Sequence, residues 1–275
     1  MMGEVPELPE VESVRRQLAP RLVGRRIRDV RFSPQARFSD LDRAAGRSVL
    51  DLRRRGKYLL ARLSAVGRAD VELVAHLGMT GAFRFRDEDG WTPDRYVRAT
   101  IELDDGALDF RDVRRFGRLT VVEAGEYRSI ATLAGLGPEP LSAEFTPEGL
   151  HAALAASAAP VKSQLLSQRP VAGLGNIYAD EALWCAAIHP RARRVGRGRA
   201  GRLWEAVRDV LAAAIEREGT TFRDYQMVNG QSGRNADFLV AYGQGGRPCP
   251  RCRTALRRIT VGGRGTTYCP RCQRC

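Results

Sequence analysis

The sequence predicts an α+β multidomain protein: an N-terminal β-sandwich with flanking helices, then a helical unit, then a small cysteine-bearing β-hairpin. Three observations carry this. Short alternating or apolar runs with turn residues between them fill positions 25–123, whereas helical periodicity dominates from 147 onward. A proline-bearing break, Leu136-Gly137-Pro138-Glu139-Pro140-Leu141, separates the two regimes. Five of the six cysteines fall within 246–275. A chain of 275 residues is also long for one domain. The expected division is 1–135, a hinge at 136–146, a helical domain at 147–245 and a cysteine unit at 246–275.

The first element is a helix over 9–22, with Val11, Val14 and Leu18 on one face and Gly24 as its stop. Strands are expected at Val49–Leu52, Tyr58–Leu63, Val71–Val74, Ala99–Leu103 and Leu119–Val122. Turn clusters such as Asp87-Glu88-Asp89-Gly90 and Asp104-Asp105-Gly106 separate them. Helices are expected at about 147–157, 160–168, 176–187 and 199–217, with the Gly/Arg stretch Arg191–Arg199 interrupting the last two. The only repeat is Cys-Pro-Arg-Cys, at Cys249–Cys252 and Cys269–Cys272.

Charge narrows the class of partner. The net charge is +13, and residues 182–275 hold 18 arginines against six acidic residues. A basic C-terminal third points to a polyanion, most often nucleic acid; a solvated arginine surface is the bland alternative. Only Lys57 and Lys162 are lysines among 45 basic residues. Arginine replaces lysine as a surface charge but not as a compact point charge, so these two are candidates for amine-specific roles. No apolar run reaches membrane-spanning length and no signal peptide is evident, so the expected location is the cytoplasm.

Cys249, Cys252, Cys269 and Cys272 form two identical knuckles 16 residues apart. Four thiolates in two such pairs suit one tetrahedral, structural zinc, with no open position for catalysis. A pair of disulfides is disfavoured for a cytoplasmic chain. Cys275 completes a further Cys-x-x-Cys with Cys272 and stands as a competing ligand. Between the knuckles, Arg257–Thr267 reads as a β-hairpin with Arg264 at a glycine-rich tip, suited to phosphates or a groove, or simply solvated.

Three other segments carry candidate chemistry. Gly173 and Gly175 precede a helix start, where free N–H groups can meet an anion, and Asn176 is a good N-cap or a phosphate ligand. His76-Leu77-Gly78-Met79 follows an apolar strand, and Met79 could wedge into a base stack or pack in the core. Arg114-Arg115-Phe116-Gly117 joins charge to one aromatic on a loop between strands.

In order, the run Pro6-Glu7-Leu8-Pro9-Glu10-Val11-Glu12, Arg55–Tyr58, His76–Met79, Arg114–Gly117, Leu136–Leu141, Ala172–Glu181 and the cysteine unit around Gly263-Arg264-Gly265 resemble the formamidopyrimidine-DNA glycosylase family. The sister endonuclease VIII shares the architecture, but Leu8 and the Leu136–Leu141 run favour the former. The resemblance implies a β-sandwich, a helix–two-turns–helix domain and a zinc finger, with DNA in the cleft between the domains. It implies a monomer acting on double-stranded DNA that contains damaged bases or abasic sites. Excision of 8-oxoguanine and formamidopyrimidines through a Schiff base, followed by β,δ-elimination, is the implied reaction. By matching position, Pro6 would be the nucleophile, Glu7 the general acid/base, Glu10 its support, and Lys57 the contact to the phosphate beside the lesion. His76 would contact DNA; Met79, Arg114 and Phe116 would fill the gap left by the flipped nucleotide; Lys162, Asn176 and Arg264 would contact the backbone.

Two features depart from the family pattern. The segment Thr220–Asn235 diverges through Gln226–Gly230, and Asp94-Arg95-Tyr96 is unusual before its strand. A third feature is chemical. In the family the catalytic proline is the first residue, whereas here Met1–Val5 precede Pro6, and an amide nitrogen cannot attack a sugar. The expectation is that Val5 marks the true start, read from a GTG codon and removed, leaving Pro6 free. A DNA-binding protein of this architecture without glycosylase chemistry, or an endonuclease VIII-like enzyme for oxidised pyrimidines, is the alternative.

Overall fold

The computed structural model describes residues 5–86, 94–220 and 233–274. The chain divides into two units. The first comprises residues 1–134 and 218–234, the second residues 135–217 and 235–275. Residues 218–234 group with the N-terminal unit, and residues 136–146 and 246–275 group with the helical segment in the second.

The first unit begins with α1, Leu8–Leu22. Glu7 caps it, and a reciprocal capping box joins Glu7 and Glu10, satisfying two backbone donors that a helix start leaves open. Val11, Val14, Leu18 and Leu22 bury one stripe, and Gly24 leaves the helix at φ +87°. The strands are β1 Ile27–Phe32, β2 Phe38–Ser39, β3 Ser48–Arg55, β4 Tyr58–Ala65, β5 Arg68–His76, β6 Gly81–Arg86, β7 Val97–Leu103, β8 Ala107–Asp112 and β9 Arg118–Glu123. They form two sheets, ordered β1-β7-β8-β6 and β2-β9-β5-β4-β3. Both sheets contribute to one apolar core, in which Leu63, Leu119 and Val121 share a cluster with Phe83, Ile101 and Phe110. α1 lies against β3 in the same core.

The β-sandwich of the sequence reading is therefore present. Four strands escaped that reading: β1, β2, β6 and β8. β8 is buried at five of its six positions yet carries Asp109 and Asp112, and their polarity masks the strand. A short helix α2, Ala131–Ala134, ends the unit.

The second unit holds α3 Pro147–Ala155, α4 Val161–Leu166, α5 Asn176–Cys185 and α6 Arg197–Glu216, with the hairpin β10 Arg257–Val261 and β11 Arg264–Tyr268. Thr146 caps α3 by accepting from Gly149 N–H at 3.0 Å. The Trp204 indole on α6 donates to Phe145 O at 2.6 Å. α5 is the central helix. Every residue from Ile177 to Trp184 is buried, including Asp180 and Glu181. Two carboxylates on such a helix require partners, and these are described below. The Gly/Arg stretch does not break the chain up to 199, because α6 already starts at Arg197. The segment around Gly137 packs tightly: a Cβ there would meet Arg169 O at 2.1 Å.

Candidate active site

In the first unit, Pro6 is buried and leads directly into α1. Glu7 and Glu10 are each 2% exposed. The Glu10 carboxylate accepts from Glu7 N–H at 2.8 Å and from Thr220 N–H at 2.6 Å. It therefore ties the start of α1 to a segment 210 residues away in sequence. Gly219 makes the approach possible: it sits at φ +81°, and a Cβ there would lie 2.8 Å from Glu10 Oε1. The Glu7 side chain accepts from the backbone N–H of Glu10. A carboxylate next to Pro6 is thus held in place at the positive end of a helix.

Lys57 follows Gly56 in the two-residue connection between β3 and β4, and Tyr58 pairs across to His76 on β5. The Tyr58 and His76 rings lie 4.7 Å apart. His76 Nδ1 accepts from Gly78 N–H at 3.0 Å, which leaves the imidazole proton on Nε2. Burial, with Lys57, Arg37 and Arg118 nearby, pulls the His76 pKa down to about 4. The ring is therefore a neutral donor among cations, a combination suited to phosphate.

Met79, Arg114 and Phe116 occupy two adjoining loops. A Cβ at Gly78 would meet Phe116 C at 2.6 Å, so the loops touch backbone to backbone. Phe116 is 41% exposed, and the Arg114 guanidinium lies 4.9 Å from its ring centre. Behind them, the Asp112 carboxylate is wholly buried and accepts from Thr80, Arg114 and Gly117.

In the second unit two side chains, Lys162 and Asn176, sit differently from the sequence reading. Lys162 is 0% exposed, and its ammonium donates to Asp180 Oδ1 at 2.6 Å, Thr266 Oγ1 at 2.8 Å and Gly265 O at 3.3 Å. The buried ammonium is engaged by these acceptors, so Lys162 ties α4 and α5 to the hairpin instead of offering its charge to a DNA backbone. Asp180 Oδ2 also accepts from Thr267 N–H at 2.9 Å. Glu181 is satisfied by N–H donors of Val240, Ala241 and Tyr242. Asn176 is the first residue of α5 and Gly175 holds the cap position, so the side chain is not the N-cap. Its Oδ1 is buried without a partner. Arg264 is exposed at the hairpin end, beyond Gly262 and Gly263, both at positive φ. A Cβ at Gly262 would lie 2.7 Å from Ser163 Oγ, which seats the turn on α4.

The sulfurs of Cys249, Cys252, Cys269 and Cys272 lie within 4.8 Å of one another. Four thiolates at that spacing close a tetrahedral site for one ion. Arg251, inside the first knuckle, donates to Trp184 O and Cys185 O at the end of α5 and lies 3.9 Å from the Trp184 ring centre. The knuckle thereby caps the helix carboxyl end. Cys275, Met1–Glu4 and residues 221–232 of the divergent segment lie outside the described residues.

Sequence reasoning missed Thr220, Thr80, Asp112, Asp180 and Thr266. Asp112 alone carried a local signal, an Asp opening a turn that ends in glycine.

Three family models follow one another along the chain. The formamidopyrimidine-DNA glycosylase N-terminal domain matches residues 5–119, the formamidopyrimidine-DNA glycosylase H2TH domain matches 136–226, and the zinc finger found in FPG and IleRS matches 246–274. The chain is 46% identical to a Deinococcus radiodurans formamidopyrimidine-DNA glycosylase, covering 98% of this chain and 97% of that protein. It superposes on the crystal structure of the MutM (Fpg) protein from Thermus thermophilus with a TM-score of 0.89, at 46% identity and 98% coverage of both chains. A Lactococcus lactis Fpg bound to DNA containing an abasic site matches with a TM-score of 0.87 at 32% identity, covering 98% of this chain and all of that one. The donor set and the zinc-finger match agree on one zinc ion held by the four cysteines.

Proposed function

The chain belongs to the formamidopyrimidine-DNA glycosylase family, and from that membership we propose that it excises oxidised purines, 8-oxoguanine and formamidopyrimidines, from duplex DNA and then cleaves the strand. The observation that carries the reading is the buried Glu7 carboxylate immediately behind Pro6, fixed by the Glu10 capping box.

The reaction assigns Pro6 as nucleophile once it is the first residue. Its secondary amine attacks the sugar C1′ and the bond to the damaged base breaks. The amine then gives up its proton, and the C1′–O4′ bond opens as the iminium forms, with O4′ taking up a proton from Glu7. An α-amino group has a pKa of roughly 8, so much of it is unprotonated near neutrality. Glu7 carries protons to and from the sugar. Abstraction at C2′ then expels the 3′ phosphate, and a second elimination expels the 5′ phosphate. Glu10 holds this arrangement through Glu7 and Thr220. Lys57 and His76 take the phosphates beside the lesion, and Met79, Arg114 and Phe116 fill the gap left by the flipped nucleotide. Asn176 and Arg264 reach the flanking backbone, and Lys162 supports Arg264 from below through Thr266 and Gly265. The zinc is structural. The protein acts as a monomer on the bacterial chromosome, in the cytoplasm.

Single-turnover excision from an 8-oxoguanine:cytosine duplex, using protein that begins at Pro6, tests this. Glu7→Gln should slow the reaction by about 10²- to 10⁴-fold, the usual share of general acid–base catalysis. An unchanged rate would remove Glu7 from the mechanism. The competing reading, a DNA-binding protein without this chemistry, is favoured only by the five residues before Pro6. It predicts tight duplex binding with no excision from either form.

A further inference from the structure

Filling a vacated position in a base stack is demanding for exposed loops. An apolar or aromatic side chain must enter the duplex while its backbone stays fixed, and ordering a mobile loop at that moment would offset the gain. The loop that bears Arg114 and Phe116 has little apolar anchorage of its own: Val113 and Phe116 are 40% and 41% exposed, whereas the Met79 loop is rooted in the core by Leu77. Arg115 also sits at φ +57°, a left-handed conformation that a non-glycine residue adopts only when its surroundings hold it.

One buried carboxylate meets that need. Asp112 ends β8, is 0% exposed, and uses both oxygens on the two loops. Oδ1 accepts from Thr80 Oγ1 at 2.5 Å and from Arg114 N–H at 3.2 Å; Oδ2 accepts from Gly117 N–H at 2.7 Å. Thr80 Oγ1, the neighbour of Met79, in turn accepts from Arg114 N–H at 3.0 Å. The segment 113–116 is thus wrapped around a single side chain that also grips the residue after Met79. Asp112 is itself fixed from behind, where its N–H donates to Tyr96 O at 2.9 Å and its carbonyl accepts from Arg98 Nε at 2.8 Å. Arg37 donates to Phe116 O at 2.9 Å and closes the outer side.

We infer that Asp112 is the positioning residue of the stacking wedge, holding Met79, Arg114 and Phe116 as one preformed unit through Thr80 and Gly117. The inference rests on the function proposed above and assigns Asp112 no contact with DNA and no part in the covalent chemistry. Its loss should therefore spare substrates that leave no gap to fill.

The experiment uses zinc-loaded protein beginning at Pro6 and two substrates. The first is an 8-oxoguanine:cytosine duplex with 2-aminopurine next to that cytosine, whose fluorescence reports unstacking as the wedge enters. The second is a single-stranded abasic oligonucleotide trapped with borohydride. Asp112→Asn should lose the 2-aminopurine change and slow duplex excision by about tenfold or more, the order expected when a charged acceptor of several hydrogen bonds is neutralised. Single-strand trapping should stay within about twofold, because no opposite strand needs support. Thr80→Val, nearly isosteric, should show the same split, and Thr80→Ser, which keeps the hydroxyl, should behave as wild type. The Thr80 pair decides the matter if Asp112→Asn does not fold. A wild-type fluorescence change and excision rate in Asp112→Asn, or no difference between Thr80→Val and Thr80→Ser, would overturn the assignment. So would parallel loss of trapping and excision. Failure of the unmutated protein to trap at all would instead remove the proposed function beneath it.

Discussion

At the scale of single residues, protonation state and burial decide what each side chain can offer. His76 shows this. Its Nδ1 already accepts a hydrogen bond from Gly78, and its pKa falls from 6.5 to about 4. In the proposed function it would meet a phosphate as a neutral donor, whereas Lys57 would meet it as a charge. Neutralising a contact that releases a counterion lowers the salt slope of duplex binding by about 0.9. Lys57→Gln should show that drop, and His76→Gln should weaken binding with the slope unchanged; fluorescence anisotropy across a salt series measures both. The same shift makes a stability prediction. An unfolded histidine takes up a proton near pH 6.5, while folded His76 resists it down to about 4. Between those values the unfolded state binds more protons, so stability falls as pH drops from 6.5 towards 4. Thermal unfolding of His76→Gln should lose part of that acid sensitivity.

At the scale of elements, polar knots attach one piece of secondary structure to the next. Lys162 and Asp180 join α4 and α5 to β11, and Glu10 joins α1 to the backbone at Thr220. Removing one partner of a buried pair leaves the other charge uncompensated, at about 3–5 kcal/mol. Lys162→Met should destabilise the protein on that scale in urea unfolding, and Lys162→Met with Asp180→Leu should recover much of the loss. Equal stability of wild type and Lys162→Met would contradict the pairing. This is also where the sequence was hardest to read. The apolar periodicity of α1 and the runs of β4 and β5 are local, so they were legible. Lys162 was visible only as a rare amine in an arginine-rich chain, and its partner stands 18 residues away with a second acceptor 104 residues away. The family resemblance assigned it to the DNA backbone, and only packing reveals Asp180. β8 was lost for a related reason: Asp109 and Asp112 look like loop residues until Thr100 and Thr80 are seen to donate to them.

At the scale of the whole molecule, the motifs and their order along the chain were sufficient to indicate the family, while the geometry behind them was not. The zinc knuckles needed only cysteine spacing, because four thiolates in two pairs permit few other arrangements. Their attachment to α5 through Arg251 is a tertiary fact. The finger presents Arg264 and closes over Trp184, so its metal should govern DNA binding without governing the chemistry. Chelation should abolish duplex binding in anisotropy and release one zinc per chain, and retained binding in the stripped protein would contradict a structural role. The central claim remains that Pro6 acts through a free secondary amine. The direct test is borohydride trapping on an 8-oxoguanine duplex, followed by mass analysis of the N-terminal peptide. Two proteins are compared, one beginning at Pro6 and one carrying Met1–Val5. The account predicts a DNA adduct on Pro6 in the first and none in the second. An adduct formed equally by both, or located on any other residue, would contradict it.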